Sequence, residues 1–504
     1  MKDEGMTDLR ELAAASDRAL QRACGLATVL GLMPMISGCI LTADKLDPML
    51  DVPQTYRAAH GASGAATPSL DWWRSFRSAE LTDLMEQASA ANLDIAAAVA
   101  RIVEADAQAR IAGAALLPTI SGDVSDTRSR SSSAALGTGQ GVGDRTLYNV
   151  SLTASYVLDF WGRNRALLRA AENNAVASRF DREVVALTTL VGVADAYFLV
   201  LEAQDRIRIA NRNVAAAERI LKVIQDRFAQ GGAAPLGAGV GASGSGSALD
   251  VAQQSSLVAI ARAQIPPLVQ QEEQNRALLG LLIGRSPEHV KIRGGSLYRV
   301  ATPRVTPGLP SQLLTQRPDV REAEIKLAAA DANVEAARAA FFPTIQLTGQ
   351  GGFSSAMLHN LLVPSSGFYT AAASVTQPIF DGGTLLGQLD QQKGIREELL
   401  ADYRKAVISA FTDVEKALAA VQQLAVQEML QRRAVSEAQR AFDLSEEKFR
   451  AGALDLTTLV QVQQTYFTQE DVLAQVRFNR LFAIVTLYQA LGGGWILDTE
   501  RRRP

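Results

Sequence analysis

Arg317-Pro318-Asp319-Val320 opens the stretch that decides the fold, and Gln377-Pro378-Ile379-Phe380-Asp381-Gly382-Gly383 closes it. After the polar turn, Val320 to Phe342 is rich in alanine and in paired charges, and Pro343 stops it. Thr344-Ile345-Gln346-Leu347-Thr348-Gly349-Gln350 then alternates polar and apolar side chains. A glycine and serine break follows, Phe368 to Thr376 alternates again, and helical sequence resumes after Gly383. An apolar face recurs about every 3.6 residues on a helix and about every 2 on a strand. The change of period reads as helix, hairpin, helix.

The same grammar stands earlier in the chain. Ala112 to Leu117 ends in Pro118, Thr119-Ile120-Ser121 follows, and Tyr148 to Leu158 leads into Asp159-Phe160-Trp161-Gly162-Arg163. Pro118 and Pro343 are 225 apart (343 − 118), and Gly162 and Gly383 are 221 apart (383 − 162). Arg227-Phe228-Ala229-Gln230-Gly231 and Lys448-Phe449-Arg450-Ala451-Gly452 repeat the offset of 221 (449 − 228). Three landmarks at a near-constant offset identify an internal duplication. A repeat of this length is not a solenoid, whose period is about 20–50 residues. We expect a first repeat over 71–284, a linker over 285–316 carrying Pro287, Pro303, Pro307 and Pro310, and a second repeat over 317–495.

Length alone, at 504 residues, would suggest about three domains. The duplication argues instead for one fold built from two halves. The apolar share of 47% is that of an ordinary folded chain, and alanine rather than the aromatics carries it. Small side chains let helices pack closely over long distances. A net charge of −3 with no basic stripe gives no reason to expect nucleic acid. Two cysteines, Cys24 and Cys39, and three histidines, His60, His289 and His359, cannot build a CxxC zinc site or a His-rich metal centre. No Gly-rich phosphate loop follows a strand, and no catalytic constellation is recognisable, so an enzyme is not expected.

Ala23 to Ile36 is apolar over the length of a signal-peptide core, short of the roughly 20 residues that cross a bilayer. It ends in Ser37-Gly38-Cys39. Small residues before a cysteine satisfy a bacterial lipobox, whose peptidase must fit around a lipid-modified thioether. The other reading is a buried cysteine in an ordinary signal peptide. We expect a leader over 1–38, a covalent lipid on Cys39 and a Pro-rich tether over 39–70. Ile40 after the cysteine resembles the outer-membrane sorting choice of bacterial lipoproteins. Asp3, Glu4, Asp8, Glu11 and Asp17 do not suit a short basic leader, which points to a translation start downstream of Met1.

Four strands are expected, over 119–130, 147–158, 344–353 and 368–378. The clearest sets Tyr148, Val150, Leu152, Ala154, Tyr156 and Leu158 against Asn149, Ser151, Thr153 and Ser155. The strand from Thr119 shows the pattern weakly. A one-sided soluble sheet would look similar, but the strands approach the roughly 9–11 residues that cross a bilayer. The smallest membrane barrels have about eight strands, and an open edge in lipid costs several kcal/mol per unpaired backbone group. Four strands in a membrane must therefore share a barrel between chains, most simply by closed rotational symmetry.

The helical runs are long. Arg163 to Phe228 lacks proline, and at about 1.5 Å per residue it could span on the order of 100 Å. Leu187, Leu190, Ala194, Tyr197 and Leu201 step by 3, 4, 3 and 4, and Phe411, Val414, Leu418 and Val421 by 3, 4 and 3. That is a coiled-coil seam, and helices this long must be sheathed by other helices in a bundle or a tube. Each ends at a glycine, Gly231 or Gly452, and a returning helix is expected from Leu249 or Leu454. The first turn carries a flexible Gly/Ser-rich insertion over 235–247, read as a neutral loop expansion or a binding element. The chain is expected to end in a tail over 496–504.

These residues resemble the TolC-type outer-membrane efflux family, in its OprM-like and NodT-like lipoprotein branch. The resemblance rests on Trp72-Trp73, Asn92-Leu93-Asp94-Ile95, Arg317-Pro318-Asp319-Val320, Ala339-Ala340-Phe341-Phe342-Pro343-Thr344-Ile345 and Ala490-Leu491-Gly492-Gly493-Gly494-Trp495. It implies a mainly α chain with a membrane β-barrel part. Four strands per protomer would enter a shared twelve-stranded barrel of a homotrimer, above a long periplasmic α-helical barrel. It further implies passive export of small molecules such as drugs, with a periplasmic adaptor and an inner-membrane RND-type pump as partners. No cofactor is implied beyond the lipid on Cys39. The alternatives are a protein-secretion channel and a non-conducting coiled-coil lipoprotein scaffold. Branch members often carry an aspartate, with an arginine three residues on, beyond the tip glycine; counted from Gly452 these positions are Gln461 and Gln464. Asp455, close to the tip, is read either as part of a carboxylate ring on the threefold axis or as a helix N-terminal carboxylate favoured by the backbone dipole.

Overall fold

A computed structural model of the chain describes residues 48–50, 52–53, 55–57, 69–130, 144–231, 247–306 and 308–495. Cys39, the expected leader, residues 235–246 of the insertion, the tail and most of the tether lie outside the described residues. The chain divides into two compact units. Among the described residues, the first takes Val103–Val176 and Glu324–Asp402; the second takes Met49–Ile102, Ala177–Ala323 and those from Tyr403 onward. Each unit therefore draws on both sequence repeats.

In chain order the helices and strands are α1 (Ala79–Ala91), α2 (Leu93–Ala114), β1 (Thr119–Ser129), β2 (Arg145–Leu158), α3 (Arg163–Gly231), α4 (Ala248–Ala263) and α5 (Ile265–Leu282). The second half adds α6 (Pro310–Gln316), α7 (Pro318–Ala339), β3 (Thr344–Ser355), β4 (Gly367–Thr376), α8 (Thr384–Arg450) and α9 (Leu456–Ala490). The long helices α3 and α8 have 69 and 67 residues. Strand β2 begins at Arg145, ahead of the expected 147, and β4 ends at Thr376, short of 378. The early end has a local cause: Gln377 is followed by Pro378, which has no N–H for the ladder. The expected single return after the first turn is broken. Helices α4 and α5 meet at Gln264, because Pro266 and Pro267 cannot continue the hydrogen-bond ladder of α4 but suit the first turn of α5.

In the first unit the four strands form one antiparallel sheet in the order β1-β2-β3-β4. Val150 stands between Val124 and Phe353, and Leu152 between Gly122 and Gly351. Sequence repeats thus meet at the β2–β3 pair, while β1 and β4 are edges.

In the second unit the seam residues enter the core. Ala194, Tyr197 and Leu201 are buried, with Leu187 and Leu190 packed beside them, and Val414 and Leu418 are buried on α8. Trp72 stacks on Tyr488 at 5.2 Å between centroids, and Phe76 lies 5.4 Å from Phe198. Each such ring buries enough apolar surface to stabilise by about 2–3 kcal/mol. Several of the motifs that carried the resemblance are joints of this core. The Asn92 side chain accepts from the backbone of Asp94 and Ile95 and donates to the Leu282 carbonyl at 2.8 Å. Arg317 grips Asp319 at 2.6 Å and Asp413 at 3.1 Å, and donates to the Ala490 carbonyl. Gly492 has φ +91°, and a Cβ there would meet the Gln316 carbonyl oxygen at 2.3 Å, so this turn admits only glycine.

Candidate functional site: the strand faces and the hairpin tip

The sheet of the first unit has two unlike faces. One presents Ile120 and Val124 from β1, Leu152 and Tyr156 from β2, Leu347 and Phe353 from β3, and Tyr369 and Val375 from β4. Of these, Ile120, Val124, Leu152, Leu347, Tyr369 and Val375 are exposed. The other presents Ser121, Asp123, Ser151, Thr153, Ser155, Gln346, Thr348, Gln350 and Thr370. On that face Gln346 donates to the Ser155 hydroxyl at 3.0 Å and Gln350 to the Ser151 hydroxyl at 3.1 Å. The weak alternation of β1 is resolved by its register, which aligns Ile120, Gly122 and Val124 with the apolar set of β2. Gly352 lies opposite Ser151, and a Cβ there would sit 2.1 Å from the Val150 carbonyl oxygen. An exposed apolar face backed by a polar one suits a wall between lipid and water.

The strand–helix boundaries repeat, as the duplication requires. Pro118 and Pro343 each stand one residue before a strand, at β1 and β3. Gly162, with φ +76°, accepts the first helical hydrogen bond of α3 from Ala166, and Gly383, with φ +87°, accepts that of α8 from Gly387. Beside each stands an aspartate that the sequence reading passed over. Asp159 accepts from the backbone of Asn164 and Arg165 at 2.9 Å each, and Asp381 from Gly383 at 3.0 Å and Leu385 at 2.7 Å. Both satisfy N–H groups that a helix start leaves without partners. Aromatic rings gather at this level: Trp161 stacks on Phe342 at 4.6 Å and donates to the Pro343 carbonyl at 2.8 Å.

In the second unit the hairpin tip is built on a glycine-ended helix. Gly452, φ +76°, donates to the Phe449 carbonyl at 3.0 Å and Ala453 to the Lys448 carbonyl at 2.9 Å, which is a Schellman ending for α8. Ile220, Ile224, Phe442, Phe449, Leu456 and Leu459 pack together around it. Asp455 is the N-cap of α9: it accepts from the Thr458 backbone and from the Thr458 hydroxyl, both at 2.8 Å. Those two bonds hold its carboxyl below the usual carboxylate range. Gln461 and Gln464 are exposed on α9. Gln464 lines a groove of about 600 Å³ with Phe467, Arg206 and Asp471. Gly231 is the last residue of α3.

Two tip residues escaped the sequence reading. Arg227 donates to the carbonyls of Phe449 and Arg450, and Gln463 is fully buried with neither amide atom partnered among the described residues. The duplicated phenylalanines also differ, Phe449 being buried and Phe228 exposed.

A family model described as outer membrane efflux protein matches residues 84–238 and 309–493. The chain is 37% identical over 478 residues to the pyoverdine export outer membrane protein OpmQ of Pseudomonas aeruginosa, covering 93% of this chain and 98% of that protein. It is 32% identical to the toluene efflux pump outer membrane protein TtgF of Pseudomonas putida, over 92% of this chain and 96% of that protein. Its fold matches the solved outer-membrane channel OprN with a TM-score of 0.83 at 24% identity, over 91% of this chain and all of that one. With the two-faced sheet and the long paired helices, these likenesses place the chain in the outer membrane efflux protein family: it is an outer-membrane channel reaching into the periplasm, not an enzyme.

Proposed function

We propose that three copies of the chain form the outer-membrane duct of a tripartite pump, through which small toxic molecules leave the cell. The observation that carries this is the sheet, with one apolar face, one polar face and two edges, β1 and β4, that pair with nothing among the described residues. In lipid such edges cost several kcal/mol per group, so β1 of one copy pairs with β4 of the next. Three copies of four strands close a barrel wide enough for a solute path. An inner-membrane pump of the RND type drives transport, a periplasmic adaptor joins pump to duct, and the tip around Gly231, Gly452 and Asp455 is the end that they meet. The relatives support small-molecule cargo, since one is named for pyoverdine export and another for toluene efflux. A lipid on Cys39 anchors each copy. Electron microscopy of the detergent-purified protein tests the assembly: threefold particles are expected, and a uniform monomer would end the reading.

A further inference from the structure

Away from the strands and the tip, the second unit contains a cavity of about 820 Å³ whose lining includes four arginines, Arg208, Arg212, Arg293 and Arg299. The two acidic residues beside them are already engaged. Asp205 accepts from Arg208, from the Ser296 hydroxyl at 3.1 Å and from the Leu297 backbone at 2.9 Å, and its side chain is only 6% exposed. Glu470 pairs with Arg212 at 3.1 Å and is 12% exposed. The guanidinium groups that they hold face outward, at 51% for Arg208 and 66% for Arg212. The Arg293 backbone donates to the Glu80 carboxylate at 2.6 Å, but the guanidinium groups of Arg293 and Arg299 form no ion pair among the described residues. The cavity thus pairs two of its cations and leaves two over.

Other features suit the same chemistry. The Tyr298 hydroxyl, on the same wall, donates to no protein atom among the described residues; burial and the nearby Asp205 charge push its pKa up to about 12, so it keeps its proton. The loop that carries Arg293 and Arg299 is held to α3. Gly294 has φ +76°, the Gly295 backbone donates to the Gln204 side chain at 3.3 Å, and Arg208 donates to the Gly295 carbonyl at 2.8 Å. The cavity volume lies within the roughly 300–1,000 Å³ of small-molecule sites. Planar guanidinium groups bind carboxylate and phosphate oxygens two at a time, and such charge-assisted bonds are about twice as strong as neutral ones.

We propose that this cavity is a binding site for an anion bearing two or more oxyanion groups, held by Arg293 and Arg299 with Tyr298 as a further donor. Anion binding here requires no transport, so it is tested apart from the channel function. The test is calorimetric titration of the full-length detergent-purified protein with inorganic pyrophosphate and with citrate, alongside flotation with vesicles of phosphatidylglycerol or of phosphatidylcholine. The comparison is the R293Q/R299Q double variant, which breaks no ion pair and should fold normally. Saturable binding of pyrophosphate or citrate, weakened by about tenfold or more in the double variant, is expected from the loss of two charge-assisted contacts. Binding only to phosphatidylglycerol vesicles, lost in the double variant, would assign the oxyanions to a lipid headgroup and uphold the site. Equal binding by both proteins, or no binding of any of these probes, would overturn it.

Discussion

Arg227, on the last turns of α3, donates one Nη2 to the carbonyls of both Phe449 and Arg450, at 3.0 and 2.8 Å. Its guanidinium carbon lies 4.8 Å from the centroid of the Phe449 ring. One residue of the first repeat thereby reaches two of the last carbonyls of α8, in the second, of which Phe449 also accepts from Gly452, and a cation near a helix C-terminus is also favoured by the dipole. Replacing Arg227 with Ala should cost about 1–3 kcal/mol locally, since bonds to charged groups contribute about 1.5–3 kcal/mol and this pair is partly exposed. Amide exchange at 448–453 should accelerate, while exchange in the strands stays unchanged. No change at 448–453 would show that the contact does not hold the tip.

Glu428 gathers Arg477, Arg480 and Arg432 around one buried carboxylate, and Arg477 also donates to the Leu297 and Val300 carbonyls. The cluster ties α8 and α9 to the linker between repeats. Burial pushes the Glu428 carboxyl up, but bonds from Arg480 and Arg432 and the Arg477 charge outweigh it and hold the carboxyl below its usual range. A depressed carboxylate stabilises the fold above its unfolded pKa, about 4.3, and that contribution is lost as pH falls through the lower folded value. E428A should cost about 3–5 kcal/mol at neutral pH, because it strands buried Arg477. The stability gap between wild type and variant should be widest at neutral pH and narrow as pH falls below about 4; an equal gap at every pH would refute the assignment.

Asp195 faces the opposite way. Burial alone raises its carboxyl from 3.8 to about 7, and its Oδ1 has no partner among the described residues. A raised carboxyl binds its proton more tightly in the fold, so stability falls as pH climbs from about 4 to about 7. The full displacement corresponds to on the order of 4 kcal/mol. D195N should therefore raise the melting temperature at pH 8 and do little at pH 4.5. A variant that gains nothing at pH 8 would mean that the carboxylate is solvated or paired in the assembly.

Leu152 stands on the exposed apolar face of β2, beside Gly122 and Gly351, whereas Thr153 stands on the polar face. L152K should impair membrane assembly, since a lysine facing mid-bilayer lipid costs about 2–4 kcal/mol. T153K should be tolerated. Heat-modifiable mobility on gels reads folded barrel directly, and equal assembly of both variants would remove lipid from the apolar face.

Much of this protein could be read from sequence because the decisive signals are local. A strand betrays itself by a period of two, a helix stop by Pro118 or Pro343, and a left-handed turn by Gly162 or Gly383; each depends on a few neighbouring bonds. The duplication followed from such landmarks recurring at one offset. Asp455 was likewise a local matter: its cap to Thr458 spans three residues and was one of the two readings open from sequence. The broken return at Pro266-Pro267 was equally local and was overlooked. What sequence could not supply were the partners distant along the chain. Nothing near Arg227 points to Phe449, nothing near Glu428 to Arg477, and nothing in the identical spacing of Phe228 and Phe449 says that one is buried and the other exposed. Periodicity determines which face of an element is apolar, because it follows from backbone geometry alone. Which charge meets which carbonyl depends on how the elements pack, and that only the tertiary structure decided.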